Sequence, residues 1–279
     1  SGRVHPPRAA SEPSAPLSFC APMTSIRARR SETAFSALHL TLGKRQKQLF
    51  REAPSRWMTV LPAGQAIAVV GPSASGKSTL CKSLCQVARV RLVECDAHYL
   101  SREACPTFDL ASLPWPGGSL PSPLAARGNA DTNVPEAIDW GSVRAELQSA
   151  MKEAADADEV VLVDGMLLLA DHPGAHSVHK LCRETILITP NHHDERAVHT
   201  LMMRKFTRSH LGKPSYAERG LAEVDYKVYW DMFVWPKWKE HGVLRAGSFD
   251  KSPLQLDALV LPSDQVAKVL ATGWFSLRS

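Results

Sequence analysis

The stretch AIAVVGPSASGKST, residues 66–79, decides the fold of this chain. Its second part fits the phosphate-binding pattern G-x-x-x-x-G-K-[ST] at every fixed position. Its first part is a short apolar run that predicts a buried strand, and residues 79–89 predict a helix. A strand, a glycine-rich loop and a helix in this order are the context that a P-loop requires. The alternative, a glycine and serine turn that binds nothing, is disfavoured by the complete match.

The chemistry of the loop follows from its residue types. Glycines let backbone N–H groups turn toward phosphate oxygens, and the N-terminus of the following helix adds partial positive charge. The lysine reaches the terminal phosphates, and the serine hydroxyl after it is a candidate ligand for Mg²⁺. We therefore predict that ATP binds with Mg²⁺ at eight residues of the loop: Gly71, Ser73, Ala74, Ser75, Gly76, Lys77, Ser78 and Thr79.

The length and charge of the chain limit its class. At 279 residues, one α/β domain with extensions is expected. The net charge is +5, but residues 1–60 hold ten Lys and Arg against three Glu, or +7, which leaves −2 for the rest. We therefore expect no nucleic-acid partner for the body of the chain. No apolar run is long enough to span a membrane, so no membrane partner is expected either.

The six cysteines form no C-x-x-C pair and have no histidines at zinc-ligand spacing. Cys81 and Cys85 lie one helical turn apart, which favours packing under the P-loop helix over metal binding. Since nothing indicates a disulfide framework, we expect a reducing, intracellular setting, and first of all the cytoplasm.

Residues 1–57 are predicted to be an extension that precedes the domain at 58–279. They are rich in Pro, Ser, Ala and Arg and poor in acidic residues. This composition is similar to that of an organellar transit peptide, so a mitochondrial location is also open. The alternative is a disordered or partly helical extension, with a candidate amphipathic stretch at 31–51.

Two further predicted strands end in acidic residues. Residues 90–94 are followed by Asp96, and residues 159–163 are followed by Asp164. The carboxyl ends of parallel strands form the ligand-binding edge of such a sheet. Asp96 is there a candidate general base for a substrate hydroxyl, with a helix N-cap or turn as the alternative. Asp164 fits the Walker B position, where an acid holds Mg²⁺ directly or through water; a structural Asp is the alternative.

Periodicity and β-branched runs predict the remaining elements. With the parts above they indicate an α/β fold, a P-loop NTPase three-layer sandwich around a parallel sheet. Strands are expected at 185–189 and 259–261, and helices at 139–155, 195–208, 223–241 and 263–271. The helix at 223–241 carries an aromatic stripe, which is more typical of a core than of a ligand platform.

Two segments are candidates for covering the site. Residues 101–135 hold six prolines, which excludes regular structure throughout. A loop of this length, with Phe108 and Trp115, is either a substrate cover or a loose insertion. Residues 204–225 predict a helical lid in which Arg204 and Arg208 close over the transferred phosphoryl group. A solvated basic face is the alternative.

The order of the motifs is more specific than any one of them. GPSASGKST is followed by ECDAHY at 94–99, PEAIDW at 135–140, VVLVDGMLLL at 160–169, RKFTR at 204–208 and D-x-x-V-Y at 225–229. This succession resembles the uridine kinase and nicotinamide riboside kinase family of P-loop kinases, and within it the fungal-type nicotinamide riboside kinases. The resemblance covers residues 62–245, about two-thirds of the chain.

The resemblance implies transfer of the γ-phosphoryl group of ATP to the 5′-hydroxyl of a riboside. Nicotinamide riboside comes first, uridine or cytidine next, and pantothenate or a sugar is a further alternative. By the resemblance Asp96 is the catalytic base and Asp164 the Mg²⁺-linked acid. Lys77 holds the phosphates, and Arg204 and Arg208 are the lid arginines. The oligomeric state is left open.

The acceptor side departs from the family. The family has an Asn-aromatic-Asp run just before its Pro-x-Ala, with the Asp on the ribose diol. Here, counting back from Pro135 puts Asn133 at that position, whereas a two-residue insertion puts Asp131 there, and the aromatic is lost either way. With Asp96 and Tyr99, these two residues are the predicted substrate-binding set. The altered diol position also leaves open a nucleotide-binding module without kinase activity.

Overall fold

The computed structural model describes residues 61–191, 193–209, 212–242 and 252–278. The prediction of a separate extension at 1–57 lies outside these residues. Within the described ranges, no helix combines the length and the apolar character needed to cross a membrane.

One parallel sheet of five strands forms the centre of the described chain, in the spatial order β2-β3-β1-β4-β5. All residues of β1 and β3 are buried, which explains why their sequences are continuous apolar runs rather than alternating ones. The strands are β1 (Ala66–Val70), β2 (Val90–Glu94), β3 (Val160–Asp164), β4 (Cys182–Thr189) and β5 (Leu254–Asp257).

Helices flank the sheet, and the predicted α/β class is confirmed. The first two long helices pack against β2 and β3, one of them directly after the P-loop. The helices are α1 (Lys77–Val87), α2 (Ser122–Ala125), α3 (Trp140–Ala157), α4 (Pro173–His179), α5 (Glu195–Thr207), α6 (Glu223–Tyr229), α7 (Trp235–His241) and α8 (Pro262–Leu270). A π turn, Trp230–Val234, joins α6 to α7, so the predicted aromatic helix is continuous.

Local side chains fix where two of these helices begin. The Asp139 carboxylate accepts a hydrogen bond from the Ser142 backbone N–H at 3.0 Å, and the Asp194 carboxylate accepts from Arg196 N–H at 2.9 Å. Each bond satisfies one of the unpaired N–H groups of a first helical turn. The caps therefore fix the residues at which α3 and α5 begin.

The predicted last strand at 259–261 is wrong. The strand lies at Leu254–Asp257, and the predicted residues form the turn that leads into α8. The reason is exposure: the Val260 side chain is 41% exposed and Leu261 is 66% exposed, whereas Leu256 of β5 is buried. A short apolar run was therefore not enough to locate the fifth strand of the sheet.

The proline-rich segment at 101–135 is irregular, as predicted, but it is packed. It contains 3₁₀ turns at Leu110–Ser112 and Pro135–Ala137 beside α2. Trp115 is buried, and its indole N–H donates to the Leu110 carbonyl at 2.8 Å. The Phe108 ring lies 4.4 Å from the Phe233 ring. These contacts argue against a loose insertion.

Candidate active site

The P-loop joins β1 to α1 through a backbone that only small residues can adopt. A Cβ added at Gly71 would lie 2.2 Å from the Ile188 carbonyl oxygen, because the loop passes directly against β4. Gly76 has a φ of +100° at the entry to α1, and Ala74 has a φ of 66°. A positive φ at a residue other than glycine is uncommon, and such strain is found at ligand-binding loops.

The candidate Mg²⁺ ligands lie side by side. The Ser78 hydroxyl donates to Asp164 Oδ2 at 2.6 Å, which links the start of α1 to the end of β3. Burial raises the pKa of the Asp164 carboxyl, and the nearby Lys77 charge opposes that rise. A hydroxyl and a carboxylate are hard oxygen ligands that suit Mg²⁺. This pair could therefore hold a Mg²⁺ ion, which would supply positive charge next to the P-loop.

The close approach of β2 to β3 explains why a glycine, Gly165, follows Asp164. A Cβ added at Gly165 would lie 2.8 Å from the Cys95 sulfur. Cys95 begins the 3₁₀ turn Cys95–His98 at the end of β2, and Asp96 is the next residue. The small residue thus allows the two strand ends that carry Asp96 and Asp164 to sit next to each other.

A cavity of about 180 Å³ opens beside the P-loop. The P-loop, the end of β2, the proline-rich segment, α5, and the region from 216 to 234 all contribute to its wall. The lining residues are Ser73, Lys77, Asp96, Tyr99, Arg127, Thr132, Asn133, Met166, Lys205, Tyr216, Tyr226, Tyr229 and Val234. Two wider grooves of about 620 and 670 Å³ lie elsewhere on the described surface and contain none of the predicted site residues.

Five predicted site residues meet at this cavity: Ser73, Lys77, Asp96, Tyr99 and Asn133. Asp96 is exposed to solvent. Among the described residues, no backbone N–H donates to its carboxylate, although such a bond would be expected if Asp96 were a helix N-cap or turn residue. Lys77 Nζ donates to the Pro72 carbonyl of its own loop at 3.1 Å. A candidate base and a candidate phosphate-binding cation therefore share one small space.

Of the predicted residues outside the P-loop motif and β3, three do not line the cavity. Arg204 is exposed, and its Nη1 donates to the Ala258 carbonyl at 2.7 Å, just past β5. Arg208 is exposed at the C-terminal end of α5. Asp131 is buried, accepts from the Asn133 backbone N–H at 2.9 Å, and has its Oδ2 atom 3.8 Å from Lys237 Nζ. Asp131 thus holds its own loop in place.

Sequence reasoning missed Lys205, which lies between the two predicted lid arginines. Its side chain is half-buried, and burial, with the charges of Arg208 and Arg127 nearby, lowers its pKa to about 8. Helical spacing was the available signal, because Lys205 lies four residues after the buried Leu201 and therefore on the inner face of α5.

The aromatic stripe serves the core and the cavity at the same time. Tyr226 and Tyr229 are buried, as expected for core residues, and both also line the cavity. Burial raises the pKa of the Tyr226 hydroxyl above its usual value. The hydroxyls of both tyrosines and Nδ2 of Asn133 are buried, and none has a hydrogen-bond partner among the described residues.

Comparisons with known proteins identify no family. No family model matches the chain, and no curated protein matches it. Among solved structures it is similar to a sugar kinase from Janibacter sp., with 14% identity, a TM-score of 0.41, and coverage of 74% of this chain and 92% of that one. It is also similar to a gluconokinase from Sinorhizobium meliloti, with 13% identity, a TM-score of 0.39, and coverage of 77% and 93%.

A third similar structure is the shikimate kinase from Aquifex aeolicus, with 15% identity, a TM-score of 0.34, and coverage of 75% of this chain and 95% of that one. These solved structures are all named as kinases. Likenesses this distant do not carry a substrate or a reaction over to this chain.

Proposed function

We propose that this chain transfers the γ-phosphoryl group of ATP to a hydroxyl group of a small acceptor. The observation that supports this most strongly is one cavity shared by Lys77 of the P-loop and the Asp96 carboxylate. A P-loop alone is common to many nucleotide-binding proteins. A carboxylate on the acceptor side of that loop is what a kinase needs in addition, since the attacking hydroxyl must lose a proton.

The phosphate half of the site is built from α1 and β3. Backbone N–H groups of the loop and the Lys77 ammonium bind the phosphates, and the N-terminus of α1 adds positive charge. Ser78 and Asp164 are the residues to hold Mg²⁺, which would supply further neutralisation of phosphate charge. The tight loop backbone fixes these donors before ATP binds, so little reorganisation is needed during transfer.

The acceptor half is built around Asp96. Its carboxylate takes the proton of the acceptor hydroxyl as that oxygen forms a bond to the γ-phosphorus. The bond between the γ-phosphorus and the oxygen bridging to the β-phosphorus breaks, and ADP leaves. General base catalysis of this kind contributes about 10²- to 10⁴-fold to a rate. The buried Tyr226 and Tyr229 form part of the cavity wall on the acceptor side.

The lid arginines are part of the proposal in different ways. Arg208 ends α5 close enough to Lys205, a lining residue of the cavity, to affect the pKa of that lysine. Arg204 is engaged with the Ala258 carbonyl and would have to leave that bond to act on phosphate. We propose Arg208 as the lid arginine that stabilises the transferred charge.

Motif order, taken without the charges of the cavity wall, favours a riboside as the acceptor, with nicotinamide riboside first and uridine or cytidine next. The observation that supports a riboside is Asn133, which lines the cavity with Asp96 and has an unpartnered amide nitrogen. The amide oxygen of an asparagine can accept a hydrogen bond from a diol, although it lacks the carboxylate charge that would strengthen that bond. The kinase proposal does not depend on this finer choice.

Release of ADP from ATP and Mg²⁺ across an acceptor panel tests the proposal. The panel contains nicotinamide riboside, uridine, cytidine, pantothenate, a neutral sugar, gluconate and no acceptor. We expect one class of acceptor to raise ADP formation well above the acceptor-free rate, and Lys77→Ala to abolish that increase. If ATP binds and no acceptor raises the rate, the alternative of a nucleotide-binding module without kinase activity is favoured.

A further inference from the structure

The charges that line the cavity do not balance. Lys77, Arg127 and Lys205 are cationic, and Asp96 is the sole carboxylate among the described lining residues. In the proposed reaction Lys77 belongs to the phosphates of ATP and Asp96 to the reacting hydroxyl. Within the described ranges, no carboxylate lies at ion-pair distance from the Arg127 guanidinium or the Lys205 ammonium. Two cations are therefore left facing the acceptor.

Arg127 is held in place by contacts that leave most of its donors unused. Its Nη2 donates to the Thr132 hydroxyl at 2.9 Å, and its guanidinium carbon lies 5.3 Å from the centre of the Tyr229 ring. Its backbone carbonyl accepts from Arg102 Nη1 at 2.8 Å. A guanidinium has five N–H donors in a planar fork that matches carboxylate and phosphate oxygens. A fork that is already oriented loses little entropy when it binds an anion.

Lys205 adds a second cation, from a different segment of the cavity wall. It comes from α5, whereas Arg127 comes from the proline-rich segment. Burial and the nearby cations disfavour the charged form of Lys205, so the pKa of its ammonium group is below the usual value for lysine. An anion bound near Arg127 and Lys205 would offset the repulsion between the cations and favour the charged form of Lys205.

The cavity is also small and rich in donors. Its volume of about 180 Å³ includes the space beside Ser73 and Lys77 that the phosphate end requires. Pockets for drug-sized ligands usually measure about 300–1,000 Å³. The Tyr226 and Tyr229 hydroxyls and Asn133 Nδ2 are buried donors without partners among the described residues. Hydroxyl and anionic oxygens are the groups that would satisfy them.

We infer that the acceptor is a small hydroxylated anion whose carboxylate or phosphate group is bound by Arg127 and Lys205 while its hydroxyl group faces Asp96. The inference rests on the proposed kinase function and adds the substrate class. It disfavours nicotinamide riboside, since that molecule carries a positive ring charge into a wall that is already cationic. It also disfavours other acceptors that lack an anionic group.

Matched acceptors test the inference directly. Glycerol is compared with glycerate and glycerol 3-phosphate, and glucitol is compared with gluconate and glucitol 6-phosphate. Each set keeps the polyol and changes one end group, and the carboxylate and phosphate arms separate the two kinds of anion. We expect kcat/KM for at least one anionic acceptor to exceed that of its neutral partner by about 10-fold or more.

Variants assign the preference to the proposed residue. Arg127→Gln should reduce kcat/KM for the anionic acceptor by about 10- to 100-fold, and should reduce the preference for the anion over its neutral partner by a similar factor, because a charged hydrogen-bonding partner is lost. Arg127→Lys keeps the charge and should recover part of the loss. Arg144→Gln, on the exposed side of α3, is the matched control and should change neither acceptor. The KM for ATP should be unchanged in all three variants.

Calorimetric binding with a non-hydrolysable ATP analogue separates this inference from the kinase proposal. If an anionic acceptor binds wild type and not Arg127→Gln, but no ADP forms, the inference stands and the kinase proposal fails. If neutral or ribosidic acceptors are phosphorylated as well as the anions, the kinase proposal stands and the inference is overturned. The inference is also overturned if no anion binds or if Arg127→Gln retains the full preference for anions.

Discussion

The Ser78 hydroxyl and the Asp164 carboxylate are joined by a 2.6 Å hydrogen bond across 86 positions of sequence. The sheet makes this possible, since Val69 pairs with Asp164 and brings the end of β3 beside the end of β1. Two motifs that are separate in the sequence thus form one candidate metal site. Removing the charge while keeping the hydrogen bond tests that assignment.

Asp164→Asn should lower kinase activity by about 10²-fold or more, because the amide oxygen can still accept from Ser78 but no longer attracts Mg²⁺ strongly. Burial raises the pKa of Asp164, so the charged form destabilises the fold, and this cost is greatest above the folded-state pKa. We therefore expect the Tm of the variant at pH 7, without Mg²⁺, to equal or exceed that of wild type. Activity is measured over a series of Mg²⁺ concentrations, and wild-type activity at every concentration would contradict the assignment.

Asp96→Asn should retain ATP binding and lower phosphoryl transfer by about 10²-fold or more, since an amide cannot accept the hydroxyl proton. Glu94→Gln is the control, because Glu94 is an exposed carboxylate two residues away at the end of β2. Single-turnover rates and calorimetric ATP affinities are compared for both variants. A near-normal rate for Asp96→Asn would remove this residue from the role of base.

The pKa of Lys205, about 8, gives a pH dependence for an anionic acceptor. Lys205 is charged below that pH and neutral above it, so binding of an anion weakens as the pH rises through 8. We expect the acceptor KM to rise by up to about tenfold per pH unit above that point. Lys205→Arg, which stays charged, should shift the rise to higher pH, whereas Lys205→Met should give a high KM without it. A wild-type KM that is constant between pH 7 and 10 would contradict this role.

Gly71→Ala should destabilise the fold by about 2–4 kcal/mol, because the added Cβ would lie 2.2 Å from the Ile188 carbonyl oxygen and neither backbone can move easily. Gly117→Ala is the matched control, since nothing lies within 4 Å of an added Cβ there. We expect the control to remain within about 0.5 kcal/mol of wild type. Denaturant unfolding measures both, and equal stability of the two variants would show that the loop does not pass against β4 as described.

Sequence alone predicted the strands whose signals are local. β1 and β2 lie where their apolar runs predict them, and β3 is shifted by one residue. β4 begins at Cys182, three residues before the predicted start. The apolar run did not reveal these residues because Arg183 and Glu184 are charged. β5 was missed because its short polar and apolar alternation is weaker than the exposed apolar run after it.

The residues of the candidate site also divide into those with a local sequence signal and those without one. Lys77, Ser78 and Asp164 belong to motifs that carry their own structural context, so the sequence was sufficient to select them. Arg127 and Lys205 come from two segments that approach each other only in the folded chain. Asp131 and Asn133 were equal candidates in sequence. In the structure Asp131 forms an ion pair with Lys237, whereas Asn133 lines the cavity.

Transfer of a γ-label from ATP tests directly whether the chain moves the γ-phosphoryl group to an acceptor hydroxyl. Wild type and Asp96→Asn are incubated with γ-labelled ATP, Mg²⁺ and the acceptors described above, and the products are separated. We predict that wild type moves the label onto an acceptor hydroxyl, and that Asp96→Asn binds ATP equally well but transfers the label about 10²-fold more slowly. Label that appears only as inorganic phosphate, or not at all, with wild type would contradict the account.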